Sequence, residues 1–461
     1  MKRNRLDVMV EVFSDEVFDY LIEHQDFTDT ETAMSRKLNE VLCKAIEQAY
    51  SRFDESLYRQ RPAHLVSKGF ATRSILTASG QVTLIRRRYQ DSRDARSLNL
   101  ADVVLGLPAS DKITPRCAEL VCHRALDATY QGAADLLENL SGQKISKTTV
   151  KEALSQAAEV LRRQDAQHTF EGTRISHELY CESDGCFIKL QQRHVPKKRR
   201  KTKSKEMRMI VLYEGKERDK AGTLRRTKAH YIATADPFED AWRQAERHID
   251  RVYDTSSIKQ SYLGTDGDPA CLNGADILPG KVTVGYDVWH LYNKVKTLAT
   301  AVYAGEISAL LSQRRIEHAA NCARYYACLE KGTLAEGLFE LADFINTHKV
   351  IIENGLAHNL GTIEGTNAHL IGSRLKNYGG AWSVAGADAM LTLRAHRASG
   401  GQIPIITATD CCSVDEEVLP DTEKPSGYRS LYNNTVEYYH QTKISWENES
   451  CRIKHNMAQV Y

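Results

Sequence analysis

Three acidic side chains stand in settings suited to holding a divalent cation: Asp184 in YCESDG, Asp266 in YLGTDGDPA and Glu364 in GTIEGTNAHL. The first two follow strand-like stretches. The third follows a long helical stretch and leads into SRLKNYGGAWS. Mg²⁺ is a hard cation that takes carboxylate oxygens and keeps several waters, so three convergent acids are a sensible minimum. Two such ions about 3.5–4 Å apart can activate an attacking water or hydroxyl and stabilise the leaving oxygen of a phosphodiester. Each acid also has an ordinary reading. Asp184-Gly185 is a common turn signal, Asp266 competes with Asp268 two residues on, and Glu364 suits the first turn of a helix. With 60 acidic residues in the chain, carboxylates alone prove nothing.

Other side chains fit around such a centre. Asp287 and His290 form D-V-W-H where a strand gives way to a helix. The histidine there could bond a phosphate or hold an acid in place. The plainer reading is a capping aspartate and a half-buried histidine beside Trp289. Seven cations fall between Pro196 and Lys205, with no acid: Lys197, Lys198, Arg199, Arg200, Lys201, Lys203 and Lys205. Read as a loop on DNA, they would add affinity without reading sequence; a solvated loop is the alternative. Arg86, Arg87 and Arg88 are consecutive on a strand, so they point to both faces and at least one meets solvent or a phosphate. Arg374 and Lys376, just after Glu364, are further candidates for phosphate contact.

The elements needed to position these groups are legible. Residues 10–60 have apolar positions at helical spacing. ATRSILTASGQVTLIRRRYQ then reads as a hairpin around 72–89 with its turn at Ser79-Gly80. A second helical region covers 115–165, and AADLLENLSGQKISKTTVKEALSQAAEVLRR has the order of a helix-turn-helix. From about 176 the pattern becomes strands with intervening helix: a strand broken by a turn at Asp184-Gly185, two more strands, a helix over 237–252 capped by Asp236 with Pro237 in its first turn, a strand ending at Asp266, and a fifth strand leading into D-V-W-H. This describes an α/β layer with a mixed sheet. Residues 290–355 read as almost wholly helical, an insertion between the second acid and the third. The domain expectation is a helical region 1–60, a hairpin and helix-turn-helix region 61–170, a catalytic domain 171–400 with its insertion at about 291–355, and a tail 401–461.

The bulk numbers limit the class. A chain of 461 residues with 42% hydrophobic content builds real cores, and a formal charge of +2 excludes a simple polycation, so nucleic-acid binding would use local patches. No run approaches 18 apolar residues, and acids occupy the place of a signal peptide's apolar stretch; the expectation is a soluble protein without a membrane span. Eleven scattered cysteines with no CxxC pair describe neither a disulfide framework nor a zinc ribbon, and Cys117, Cys122 and His123 are better read as buried groups than as ligands.

Taken in order, TASGQVTLIRRRY, YCESDG, YLGTDGDPA, GYDVWHLYNK and GTIEGTNAHLIGSRLKNYGGAWSVAGADAM make the chain resemble the ISLre2 family of bacterial insertion-sequence transposases, also catalogued as UPF0236. The likeness covers most of 65–400. That family is similar to the IS256 and Mutator group of DDE transposases. The resemblance implies an RNase H-like core with an all-helical insertion, a triad on Asp184, Asp266 and Glu364, and supporting roles for Asp287 and His290. It also implies Mg²⁺ (with Mn²⁺ as substitute), double-stranded DNA as partner (terminal inverted repeats and target), a homo-oligomer on DNA, and a cytoplasmic, nucleoid-associated location. Its second-acid segment normally runs GDGA and then an aromatic, where this chain has TDGDPAC. Two alternatives stay open: a catalytically inactive DNA-binding derivative, and a nuclease that cuts without joining.

Overall fold

The computed structural model describes residues 5–93, 95–107, 112–167, 172–191, 203–377 and 380–404. Lys197, Lys198, Arg199, Arg200 and Lys201 of the basic run, and the tail from 405, lie outside the described residues. Contacts among the described residues gather into two units, 5–121 with 134–149, and 122–133 with 150–404.

In the first unit, helix α1 (Arg5–His24) is followed by α2 (Phe27–Gln60), whose Asp26 cap accepts from Asp29 N at 3.0 Å. Strands β1 (Leu65–Thr77) and β2 (Gly80–Asp91) form the expected hairpin, longer than the sequence pattern suggested, and a short β3 (Ser97–Leu98) pairs with β2. The next helix is α3 (Leu100–Val104). Ile75, Val82, Leu84 and Tyr89 of the hairpin pack against Tyr50 and Leu57 of α2. Along the chain, helices α4 (Pro115–Ala125), α5 (Tyr130–Ser141) and α6 (Lys147–Gln167) follow, with 122–133 and the part of α6 from 150 onward in the second unit, and the α5–α6 break falls where Ser-Gly and Ile-Ser predict it. Ser146 caps α6 by accepting from Thr149 N at 3.0 Å.

The second unit is built on a five-stranded sheet of β4 (Glu178–Lys189), β5 (Ser204–Tyr213), β8 (His230–Thr234), β9 (Gln260–Thr265) and β10 (Lys281–Tyr286), in the order β10-β9-β4-β5-β8, with a separate hairpin of β6 (Gly215–Arg218) and β7 (Leu224–Thr227). Strands β4, β5 and β8 are antiparallel in succession, while β9 and β10 run parallel to β4. Parallel neighbours require a crossover, supplied by α7 (Phe238–Val252). Its Phe238, Ala241, Trp242, Ala245 and Ile249 recur at helical spacing and bury against Leu179, Cys181, Ile210, Leu212 and Leu263 on one sheet face. Pro237 itself occupies the cap position of α7, without a side-chain cap.

A short α8 (Pro269–Leu272) leads to β10, and the predicted helical insertion follows as α9 (Val288–Leu298), α10 (Ala301–Ser312), α11 (Ile316–Leu329), α12 (Gly332–Thr347) and α13 (Lys349–His358). These helices share their own core, including Ile307, Leu311, Leu338, Leu341 and Ile345. The chain then returns through α14 (Ile363–Asn367) and a π-helical stretch, Ala368–Lys376, to α15 (Val384–Ala398).

One local reading needs correction. Asp184-Gly185 is not a turn: β4 pairs with β5 without interruption from Tyr180↔Tyr213 to Lys189↔Ser204. Gly185 sits opposite Arg208, and a Cβ there would stand 2.0 Å from Glu206 Oε1. The glycine makes room for a neighbour's side chain rather than for a reversal.

Candidate metal centre

Strand register gathers the acids. Because Glu182 lies beside Gly264 in the parallel β4–β9 pair, Asp184 and Asp266 come level two residues on, Asp184 within its strand and Asp266 just beyond the end of β9. Tyr286 lies beside Thr265 in the next parallel pair, so β10 ends alongside and Asp287 opens α9 at the same rim. Asp287 N donates to Thr265 O at 2.9 Å, and Asp287 Oδ1 accepts from His290 N at 2.8 Å, capping the helix. One turn into α9, His290 reaches the two aspartates. One ligand atom each from Asp184, Asp266 and His290 lies within 4.8 Å of the others, the one such grouping of three or more His, Cys, Asp or Glu among the described residues.

Leu179 and Cys181 point into the α7-side core, so by strand alternation Glu182, Asp184 and Cys186 emerge on the opposite face. Asp184 is 6% exposed. Its Oδ1 accepts from Gly185 N at 2.7 Å and its Oδ2 from Asn367 Nδ2 at 2.7 Å. Burial, and the nearby charges of Asp266 and Glu364, outweigh the pull of His290 and push the carboxyl up to about 7. For His290, burial opposes the charged ring, but the bond to Asp287 and the charges of Asp287, Asp184 and Asp266 win, and its pKa is raised. His290 Nδ1 lies 3.2 Å from Asp287 Oδ1.

A divalent cation fits this donor set. Clustered carboxylates repel one another until positive charge enters, and the Asp184 carboxyl is raised chiefly by burial and further by the charges of Asp266 and Glu364. Asn367 Oδ1 is buried beside them without a hydrogen-bond partner. Carboxylate oxygens suit Mg²⁺ or Mn²⁺, while an imidazole widens the range toward later transition metals.

Several expected residues are placed differently from their sequence reading. Glu364, in the first turn of α14, is half-buried and near enough for its charge to raise Asp184, but it stands outside the three-residue grouping, where His290 takes the third place. Asp268 is occupied as the cap of α8, accepting from Ala270 N at 2.7 Å, while its own N–H donates to Asp266 Oδ1 at 3.0 Å. Arg374, expected on phosphate, is 5% exposed. Its Nε donates to Ala125 O at 2.9 Å and its guanidinium lies over the rings of Trp382 and Tyr130. That arginine ties the π-helical stretch to Ala125, Tyr130 and Trp382, and its own guanidinium is buried. Lys376 is exposed and reaches the Cys186 thiol, two residues beyond Asp184 on the same strand face. Arg86 is paired with Asp102 at 2.5 Å and Arg87 with Glu55 at 2.6 Å, whereas Arg88 is exposed. Lys203 is exposed and Lys205 half-buried. Cys117 and Cys122 are buried free thiols, as expected.

Asn367 was missed in the sequence, although its position three residues after Glu364 puts both on one helix face. Glu182 was missed as well; its signal was an acid two residues before Asp184, hence on the same strand face.

The fold and site therefore define an α/β protein with a mixed five-stranded sheet and an Asp-Asp-His grouping able to hold a metal ion. The model of the uncharacterised protein family UPF0236 matches residues 21–303, more than half of the chain, and the chain belongs to that family. It is also 23% identical over 403 residues to a UPF0236 protein in the vanSb 3′ region of Streptococcus gallolyticus, covering 81% of this chain and 83% of that one. Among the described residues, no helix is long and apolar enough to cross a membrane.

Proposed function

We propose that the chain is a metal-dependent DNA transposase with an RNase H-like core. The observation that carries this reading is the register that sets Asp184 level with Asp266 and brings His290 to both. The mixed sheet, antiparallel in its first three strands and parallel after a crossover helix, supports the core assignment, as does the helical insertion between Asp266 and Glu364. Asp184, Asp266 and Glu364, with His290 beside them, would hold Mg²⁺ or Mn²⁺. Bound there, the metal supplies an activated oxygen nucleophile and stabilises the leaving alkoxide.

The chain's own groups account for the remainder. Asp287 fixes the His290 ring and Asn367 fixes the Asp184 carboxylate. Lys376, Lys203 and Lys205, with Arg88 on the other unit and the cations of 197–201, are the proposed phosphate contacts. Hydrolysis at the element's end would break a P–O3′ bond, leaving a 3′-hydroxyl. In strand transfer that hydroxyl would attack a target phosphodiester, forming one P–O bond as another breaks. Terminal repeats and target DNA are the proposed partners, a homo-oligomer the proposed assembly, and residues 1–60, 61–170 and 171–400 the proposed multimerising, DNA-recognising and catalytic regions.

The test uses labelled native flanking-end DNA with Mg²⁺, wild type beside Asp184→Asn. Joined product from wild type alone supports transposition. Cutting without joining supports a nuclease, and tight binding without cutting supports a DNA-binding derivative.

A further inference from the structure

Glu182 is fully buried on the same strand face as Asp184, yet its charge is handled in the opposite way. Burial alone would raise its pKa, but the charges of Lys216 and Arg226 and the bonds from Tyr213 and Thr362 more than offset this, and the carboxyl is held low. Both oxygens are saturated. Oε1 accepts from Tyr213 Oη at 2.6 Å, Thr362 Oγ1 at 2.7 Å and Lys216 Nζ at 3.4 Å. Oε2 accepts from Thr362 N at 2.7 Å and Gly361 N at 3.2 Å, with Arg226 Nη2 at 3.9 Å.

The two cations come from the β6–β7 hairpin, and both continue to the same destination. Lys216 Nζ donates to Asn359 O at 2.6 Å. Arg226 donates to Thr362 Oγ1 at 2.6 Å and Thr366 Oγ1 at 2.7 Å. Every bond of the network outside the sheet and hairpin therefore ends on residues 359–366, the segment that carries Glu364 and leads to Asn367. The same segment meets the rim of the metal centre, where Val288 N donates to Leu360 O at 2.8 Å. Gly361, at φ +129°, allows that approach: a Cβ there would stand 2.6 Å from Val288 N.

A buried ion network is a poor way to add stability, because apolar residues of similar volume often do as well or better. What it supplies is fixed geometry. Here it joins the strand of Asp184 to the segment of Glu364, two parts of the chain that no shared secondary structure connects. We propose that Glu182 is a positioning residue for Glu364, which with Lys216 and Arg226 sets the third carboxylate of the site against Asp184 and Asp266. This rests on the metal-centre reading above.

The experiment is Mn²⁺ binding to the full chain, without DNA, followed by the electron paramagnetic resonance of free Mn²⁺. Wild type, Glu182→Gln, Glu364→Gln and the double variant are compared. Substitutions that misplace a ligand typically weaken metal binding on the order of tenfold or more, and Glu182→Gln is expected to do so. In the Glu364→Gln background the same change should add no more than about twofold, because the ligand it positions is already lost. Full wild-type affinity in Glu182→Gln, or an equal loss in both backgrounds, overturns the proposal. If Glu182→Gln does not fold, Thr362→Val removes one bond to Glu182 and one from Arg226 while leaving the ion pairs, and its loss is judged in the same two backgrounds. Absence of Mn²⁺ binding by wild type overturns the metal-centre reading itself, before any variant is compared.

Discussion

Asn367 Nδ2 donates to Asp184 Oδ2 at 2.7 Å, and both side chains are buried. A neutral amide thus secures a carboxylate that neighbouring acids disfavour. Hydrogen bonds to charged groups contribute about 1.5–3 kcal/mol. Asn367→Ala is expected to weaken Mn²⁺ binding several-fold and to slow any metal-dependent DNA cleavage while the fold is kept. Titration calorimetry of Mn²⁺ on a variant with wild-type circular dichroism checks this; unchanged affinity would remove Asn367 from the site.

The Asp184 carboxyl, pushed up to about 7 by burial and like charge, gives a pH prediction with a definite sign. A carboxyl raised in the folded state contributes stability that is full below its unfolded value of about 4 and is lost as pH climbs through about 7. Metal-free Asp184→Asn should therefore unfold at a higher temperature than wild type at pH 8, by roughly 2–4 °C for each kcal/mol recovered, and show little difference at pH 4. Metal reverses the order, since only the wild type gains from it. Melting curves in chelator and in Mn²⁺ measure both. Because metal must displace the proton, the affinity of wild type should fall about tenfold per pH unit below about 7.

His230 and His248 lie ring on ring, centroids 3.5 Å apart and planes within 5°. Burial, chiefly, holds their pKa values down, to about 4 and about 2. For a histidine the depressed folded value means stability present above the unfolded pKa of about 6.5 and lost as pH falls toward the folded values. His248→Phe preserves a stacked ring and removes one titration. Its melting temperature should fall less than that of wild type between pH 6.5 and 4, and parallel curves would exclude this pair as a source of acid sensitivity.

Gly361 combines φ +129° with close approach to the backbone of Val288 and Trp289. Gly361→Ala must move the 359–362 segment or the start of α9, because a Cβ there would stand 2.6 Å from Val288 N and 3.0 Å from Trp289 N, both backbone atoms. Strain of this kind costs about 1–3 kcal/mol. The expected result is a lower unfolding midpoint in urea together with weakened Mn²⁺ binding; a loss of stability alone would mean that the segment moves without disturbing the centre.

Arg374 and Lys376 provide an internal comparison for DNA binding. The buried Arg374 is bonded to Ala125 O, so Arg374→Gln should lower stability and leave the salt dependence of DNA affinity unchanged. Lys376 is exposed, and Lys376→Gln should reduce the slope of log affinity against log salt by about 1. Fluorescence anisotropy at several salt concentrations tells the two apart.

The sequence by itself determined the element types and the acids that matter. The short continuous apolar runs in MIVLY and SYLG, and helical spacing in the 290–355 stretch, are patterns that a chain cannot hide. Asp184, Asp266, Asp287 and His290 could be picked out because each sits at a residue pattern that ends or interrupts an element. Local signals failed where the deciding neighbour was distant. Asp184-Gly185 reads as a turn until β5 is paired along its whole length. Arg374 reads as a surface cation until Tyr130 and Trp382 enclose it, and Asp268 competes with Asp266 until α8 takes it as a cap. Only the tertiary structure set His290 beside the two aspartates and Glu182 between a hairpin's cations and the Glu364 segment. Those relations depend on parallel register and on the return of the chain after a helical insertion, with separations from 24 residues (Asp266 to His290) to 180 (Glu182 to Thr362) for which local sequence carries no energy term.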